Sequence, residues 1–152
     1  MKSSNQAAPI HVLLVEDNPG DTRLVREYLK EAKQETFRLL DVKTIRDALE
    51  ALRANKPDVI LLDLSLPDAS GTEGYTRLAN AAPGVPIIVL TGVGDAEMEK
   101  RLMSLGTRDY LRKSHFDGAL LASVLRNWVS FARSFMSGEA KSDARSKPAG
   151  FY

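Results

Sequence analysis

Four places in this 152-residue chain carry side chains able to do chemistry together: Glu16-Asp17, Asp63, Thr91-Gly92 and Lys113. Each stands at or just past the end of a short apolar run. If the runs ending near 16 and 63 are neighbours, three carboxylates converge. Two such charges about 5 Å apart repel by roughly 3 kcal/mol at an effective dielectric near 20. Acids gathered in that way need a cation. An all-oxygen donor set with no His or Cys selects a hard divalent ion, Mg²⁺ first and Mn²⁺ or Ca²⁺ next. The chain has no cysteine, which excludes a thiolate nucleophile, a disulfide framework and a cysteine-held zinc or iron–sulfur site. Its two histidines, His11 and His115, lie at the start of the first apolar run and before the last helical stretch. Both read as structural.

The elements that must position these groups alternate regularly. His11–Val15 is an almost continuously apolar run, the pattern of a strand buried on both faces. Asn18-Pro19-Gly20-Asp21 follows as helix-start chemistry, with Leu24, Val25, Tyr28, Leu29 and Ala32 at helical spacing. Phe37–Val42 predicts a second strand. Thr44 with Asp47 resembles a capping box opening a helix striped by Ile45, Ala48, Leu49 and Leu52. Asp58–Asp63 is the most apolar strand, and Ser70 with Glu73 predicts a capping box for the next helix. Pro83-Gly84 stops that helix, and Gly74 inside it is a local weakness of about 1 kcal/mol. Pro86–Thr91 predicts a fourth strand, Asp95–Leu105 a fourth helix, Arg108–Arg112 a fifth strand and Asp117–Met136 a final helix. Five βα units with right-handed crossovers make an α/β, doubly wound parallel sheet whose ligands sit outside the carboxyl ends of the strands.

Totals narrow the function classes. With 21 Lys+Arg against 20 Asp+Glu, no electrostatic case exists for binding nucleic acid or an anionic membrane. Hydrophobic residues make up 43%, enough for a folded core. The apolar runs fall far short of the ~20 residues that span a bilayer, and the first nine residues carry no apolar signal segment. A cytoplasmic location follows as the expectation. Residues 1–9 and 137–152 read as flexible ends around a domain at 10–136, the tail being too polar to offset its ordering entropy. No output domain fits in that tail.

At this point the ordered motifs VEDN at 15–18, DLSLPDASG at 63–71, TG at 91–92 and GTRDYLRK at 106–113 resemble the receiver domain of two-component response regulators. The resemblance covers residues 10 to about 136. It implies a CheY-like, flavodoxin-like fold with strand order 2-1-3-4-5, and Asp63 as phosphoacceptor for a sensor histidine kinase or histidine phosphotransfer protein. It further implies Mg²⁺ held by Glu16, Asp17, Asp63 and the backbone carbonyl of Ser65. Thr91, beside Gly92, matches the hydroxyl that moves to the phosphoryl group, Lys113 the lysine that pairs with it, and Tyr110 an aromatic switch that turns inward. Pro67 and Gly71 match the turn after the acceptor, and Ser65 and Val93 occupy positions that tune phosphoryl lifetime. Where the family usually has proline after the lysine, this chain has Ser114.

The chemistry is consistent with those roles. An ionised carboxylate is a nucleophile toward phosphorus without a general base, and phosphoryl transfer is mostly positioning and charge neutralisation. Ser65 replaces the second aspartate that a haloacid-dehalogenase-like phosphatase needs, so turnover of phosphate esters is not expected. A flavin-binding sheet of similar topology would set an anionic cofactor against the acids. The expectation is a single-domain, phosphorylation-driven response regulator that switches a protein-binding surface; the alternative is a receiver-like scaffold used without phosphorylation. Two adjacent apolar stripes on the final helix, with Trp128, Phe131 and Phe135 in its last turns, predict either a homodimer or partner-docking surface or a helix well buried by its own domain.

Overall fold

Val59-Ile60-Leu61-Leu62 has no polar residue to turn toward water on either face, and the fold covers both faces completely. In the computed structural model, which describes residues 8–70, 72–92, 96–113 and 116–136, this run is the middle of a parallel sheet. The elements in chain order are β1 (Ile10–Val15), α1 (Pro19–Lys30), β2 (Phe37–Val42), α2 (Ile45–Ala54) and β3 (Val59–Asp63). They continue with α3 (Glu73–Ala81), β4 (Ile87–Thr91), α4 (Ala96–Leu105), β5 (Asp109–Arg112) and α5 (Gly118–Met136). Strand order is β2-β1-β3-β4-β5, every pair parallel. This is the α/β CheY-like fold, and the winding direction reverses between β1 and β3.

Strand alternation splits the core into two layers. Val12, Leu14, Leu61, Ile88 and Leu90 face α1 and α5; Leu13, Val15, Ile60, Leu62 and Val89 face α2, α3 and α4. The pairing Val15↔Leu62 brings the next residues, Glu16 and Asp63, level with each other at the carboxyl edge. Asp63↔Leu90 and Thr91↔Arg112 carry Thr91 and Lys113 to the same edge.

Local chemistry explains most helix starts. Asn18 Oδ1 accepts from Asp21 N–H at 2.9 Å ahead of Pro19, and Thr44 Oγ1 accepts from Asp47 N–H at 3.0 Å. The Asp68 carboxylate also caps α2, accepting from Ile45 N–H (3.0 Å) and Arg46 N–H (3.1 Å). A little burial opposes its charge, but those N–H groups outweigh that and hold Asp68 below the usual carboxylate range. The loop after β3 is thereby tied to α2.

The Ser70–Glu73 capping box does not form. Glu73 is the first helical residue rather than the third, Thr72 stands at the cap without a side-chain bond, and Glu73 N–H donates to the Ser70 carbonyl at 3.1 Å. Gly74 sits at a close approach: a Cβ there would lie 3.0 Å from Ile45 Cδ1 where α3 meets α2, so that side chain would have to give by a few tenths of an ångström.

Along most of the final helix the burial alternative holds. Its neighbour α1 and the sheet cover a wide arc, so both apolar stripes are used inside the domain: Leu121, Val124, Leu125, Trp128 and Val129 are all buried. Trp128, 2% exposed, is core rather than docking surface. Its ring meets Phe131 edge-on at 5.7 Å and lies under the Arg108 guanidinium at 5.6 Å. Phe131 is half-buried against the same cluster. Phe135, at 44%, alone of the three remains exposed.

No helix among the described residues is long and apolar enough to cross a membrane. Gly71, Val93, Ser114, His115 and the expected tail, 137–152, lie outside the described residues, as do residues 1–7 of the expected N-terminal segment and the Lys113–Ser114 peptide. Trp128→Ala is expected to cost about 3–5 kcal/mol in urea unfolding, as for a buried aromatic, and Phe135→Ala under about 0.5 kcal/mol. Equal small losses would return Trp128 to the surface.

Candidate functional site

The carboxyl edge of the sheet gathers the expected groups. Glu16 leaves β1 and Asp63 ends β3; both are buried, at 1% and 3% exposure, while the adjacent Asp17 faces solvent. One carboxylate oxygen from each of the three lies within 4.8 Å of the others. Short loop contacts orient them: Asn18 N–H donates to Glu16 Oε2 and Ser65 N–H to Asp63 Oδ1, each at 3.2 Å.

Lys113 follows β5 and reaches across this cluster. Its Nζ stands 2.9 Å from Glu16 Oε1, 3.5 Å from Asp63 Oδ2 and 2.7 Å from Asp21 Oδ2. Asp21 is the functional neighbour that sequence reasoning missed. Its position in the first turn of α1 identified it only as helix-start chemistry, because nothing local signals that β5 ends beside α1.

The electrostatics are those of a crowded acid site. Burial, reinforced by Asp63, raises Glu16 to about 7, with Lys113 pulling the other way. Burial also works against the Lys113 charge, but Asp21 and Glu16 as hydrogen-bond acceptors and the charge of Asp63 outweigh it, so the ammonium is held above its ordinary range. Glu16 Oε1 is buried and accepts no aligned hydrogen bond among the described residues; its close contact is the ammonium. A buried, under-coordinated carboxylate oxygen beside two further carboxylates is a donor set that fits a hard divalent cation.

The remaining expected residues lie around this cluster in two settings. Thr91 is buried at the end of β4 and Gly92 next to it is exposed. Tyr110 stands within β5. Its ring is already inside, packed with the cluster that holds Val89 and Leu102, and its hydroxyl is buried without a partner among the described residues. Trp128, Phe131 and Phe135, on α5, take no part in the carboxylate cluster.

Comparison with known proteins agrees with this geometry. The family described as the response regulator receiver domain matches residues 12–125. The KDP operon transcriptional regulatory protein KdpE of Escherichia coli is 33% identical over 114 residues, covering 75% of this chain and 49% of that protein. The regulatory protein LuxO of Vibrio cholerae is 35% identical over 100 residues, covering 66% of this chain and 21% of that protein. The chain thus spans between a fifth and a half of these relatives' lengths. Among solved structures, the signal receiver domain of a LuxO repressor protein from Vibrio parahaemolyticus superposes with TM-score 0.75 at 28% identity, covering 88% of this chain and all of that one. The receiver domain of sensor histidine kinase PA1611 from Pseudomonas aeruginosa has TM-score 0.68 at 30% identity, covering 81% and 99%, and holds magnesium in its active-site cleft.

Because a proton on Glu16 competes with a cation, Mg²⁺ affinity should strengthen as pH rises through about 7. Calorimetric titration is expected to show roughly tenfold tighter binding at pH 8 than at pH 6, the change that loss of one competing proton gives. An affinity flat across that range would contradict the buried, proton-competing Glu16.

Proposed function

The chain belongs to the response regulator receiver domain family, and from that premise we propose that it is a phosphorylation switch with Asp63 as acceptor. The observation that carries this reading is the buried Asp63 carboxylate, flanked by two more acids and a lysine at the carboxyl edge of the sheet. In the proposed reaction an ionised Asp63 oxygen attacks the phosphorus of a phosphohistidine on a sensor histidine kinase or histidine phosphotransfer protein. The new P–O bond forms as the P–N bond breaks, and the electron pair leaves on the imidazole nitrogen, which takes a proton from solvent. No general base is required, because the attacking oxygen carries no proton.

Glu16, Asp17, Asp63 and the Ser65 carbonyl would hold Mg²⁺, or Mn²⁺ on the same oxygen donors. Bound there, the cation supplies charge neutralisation for the phosphoryl oxygens. Lys113 brings a second positive charge to those oxygens, and the Thr91 hydroxyl donates to one of them, drawing its loop and Gly92 inward. Since Tyr110 already lies inside, the displaced Thr91 is read as locking the ring in place rather than admitting it. The acyl phosphate adds about two negative charges where a carboxylate stood, a local change able to bias a two-state surface.

The output in this reading is contact with a downstream protein, or with a second copy through the exposed end of α5 near Phe135. The chain is read as accepting a phosphoryl group without turning over a separate substrate. The exchange is read as taking place in the cytoplasm.

Incubation with Mg²⁺ and acetyl phosphate should add one phosphoryl group by intact mass, and Asp63→Asn should abolish the addition. Labelling that survives in Asp63→Asn overturns the acceptor assignment. No labelling of the wild-type chain would favour a phosphorylation-independent scaffold.

A further inference from the structure

Lys113 is claimed by three acids, and the shortest claim comes from outside the acid cluster. A primary ammonium has three N–H donors. Here they are spread over Asp21 (2.7 Å), Glu16 (2.9 Å) and Asp63 (3.5 Å), and the bond to Asp21 is an aligned hydrogen bond linking residues 92 apart in the chain. A helix-start acid is favourable at this position because of the α1 dipole alone, which explains the residue type. It does not explain why the carboxylate is spent on a lysine from β5. The pair is also only partly sheltered, with side-chain exposures of 20% for Lys113 and 35% for Asp21, so it can exchange partners.

From this geometry we propose that Asp21 is a positioning residue for the switch: it holds the Lys113 ammonium on the α1 side of the cluster and competes for it with the phosphoryl group on Asp63. The proposal rests on the phosphoacceptor reading above and adds a residue to it. Before phosphorylation, Asp63 is the most distant of the three acids from Nζ. Afterwards its oxygens carry about two negative charges, and Nζ moves toward them. Glu16 is then taken up by the cation, so the bond that must be surrendered is the one to Asp21. Removing the Asp21 charge leaves the phosphorylated state's lysine contact intact and weakens only its competitor. The displacement also strips the first turn of α1 of its lysine, which makes the residue observable.

The full-length chain with Mg²⁺ and a limiting acetyl phosphate concentration tests this. A partly exposed ion pair is worth about 1.4- to fivefold in an equilibrium, so Asp21→Asn should raise the ratio of phosphorylated to unphosphorylated chain by a factor in that range. Asp21→Glu, which keeps the charge, should remain near wild type. In aspartate-¹³C-labelled protein, the Asp21 carboxylate resonance should move when beryllofluoride is added to the Mg²⁺-loaded chain, beyond any change caused by Mg²⁺ alone. An unchanged phosphorylated ratio in Asp21→Asn, or an Asp21 resonance indifferent to beryllofluoride, overturns the proposal while wild-type labelling of Asp63 still stands. Absence of wild-type labelling would instead fail the acceptor reading.

Discussion

The structure turns on the charge balance at the carboxyl edge of β1 and β3, where parallel pairing sets Glu16 level with Asp63. Both acids are largely buried, and burial works against the ionised form of Glu16. Lys113 is the cation the chain itself provides, and its reach across the cluster to Asp21 links β5 to α1. The loops around the site are arranged to hold these few groups at short range. Asn18 and Ser65 offer backbone N–H groups to Glu16 and Asp63, and Asp68 ties the loop after β3 to the start of α2.

That arrangement has a cost that the core offsets. Several acids with one lysine repel at distances of a few ångströms, and burial pushes Glu16 to about 7 instead of leaving it an ordinary carboxylate. A sheet covered on both faces by apolar layers provides the rigidity that keeps such groups together. The same burial bears on the proposed switch. In the proposed reaction, changing Asp63 into an acyl phosphate would alter the local charge where screening is weak, giving the lysine and the Thr91 hydroxyl reason to move.

Much of the fold was legible along the chain. β3 announces itself because a continuous apolar run has no face for water, and Asn18 and Thr44 signal their helices because a cap bond joins residues three apart. The same kind of signal misled at Ser70–Glu73, where the spacing is right but the backbone makes a turn and α3 starts at Glu73 itself. Helical periodicity showed that α5 is apolar over a wide arc, but not how much of that arc neighbours would cover. α1 and the sheet cover enough to place Trp128 in the core and leave Phe135 out. Tyr110 was legible as an aromatic within β5; which way its ring points depends on packing in the cluster that holds Val89 and Leu102.

By itself the sequence determined the alternation of strands and helices and the acids, hydroxyl and lysine at the strand ends; an oxygen-donor cluster followed only once β1 and β3 are paired. The alternation and the strand-end residues are local: they depend on hydrophobic period, caps and residue chemistry within a few positions. Tertiary structure alone decided that Lys113 would be shared with Asp21, that Asp68 would cap a helix preceding it in the chain, and that Tyr110 would already lie inside. Each of these depends on which elements become neighbours when the sheet winds outward from β1 in both directions. Proximity between residues 21 and 113 is a property of that winding, and no pattern within either segment encodes it.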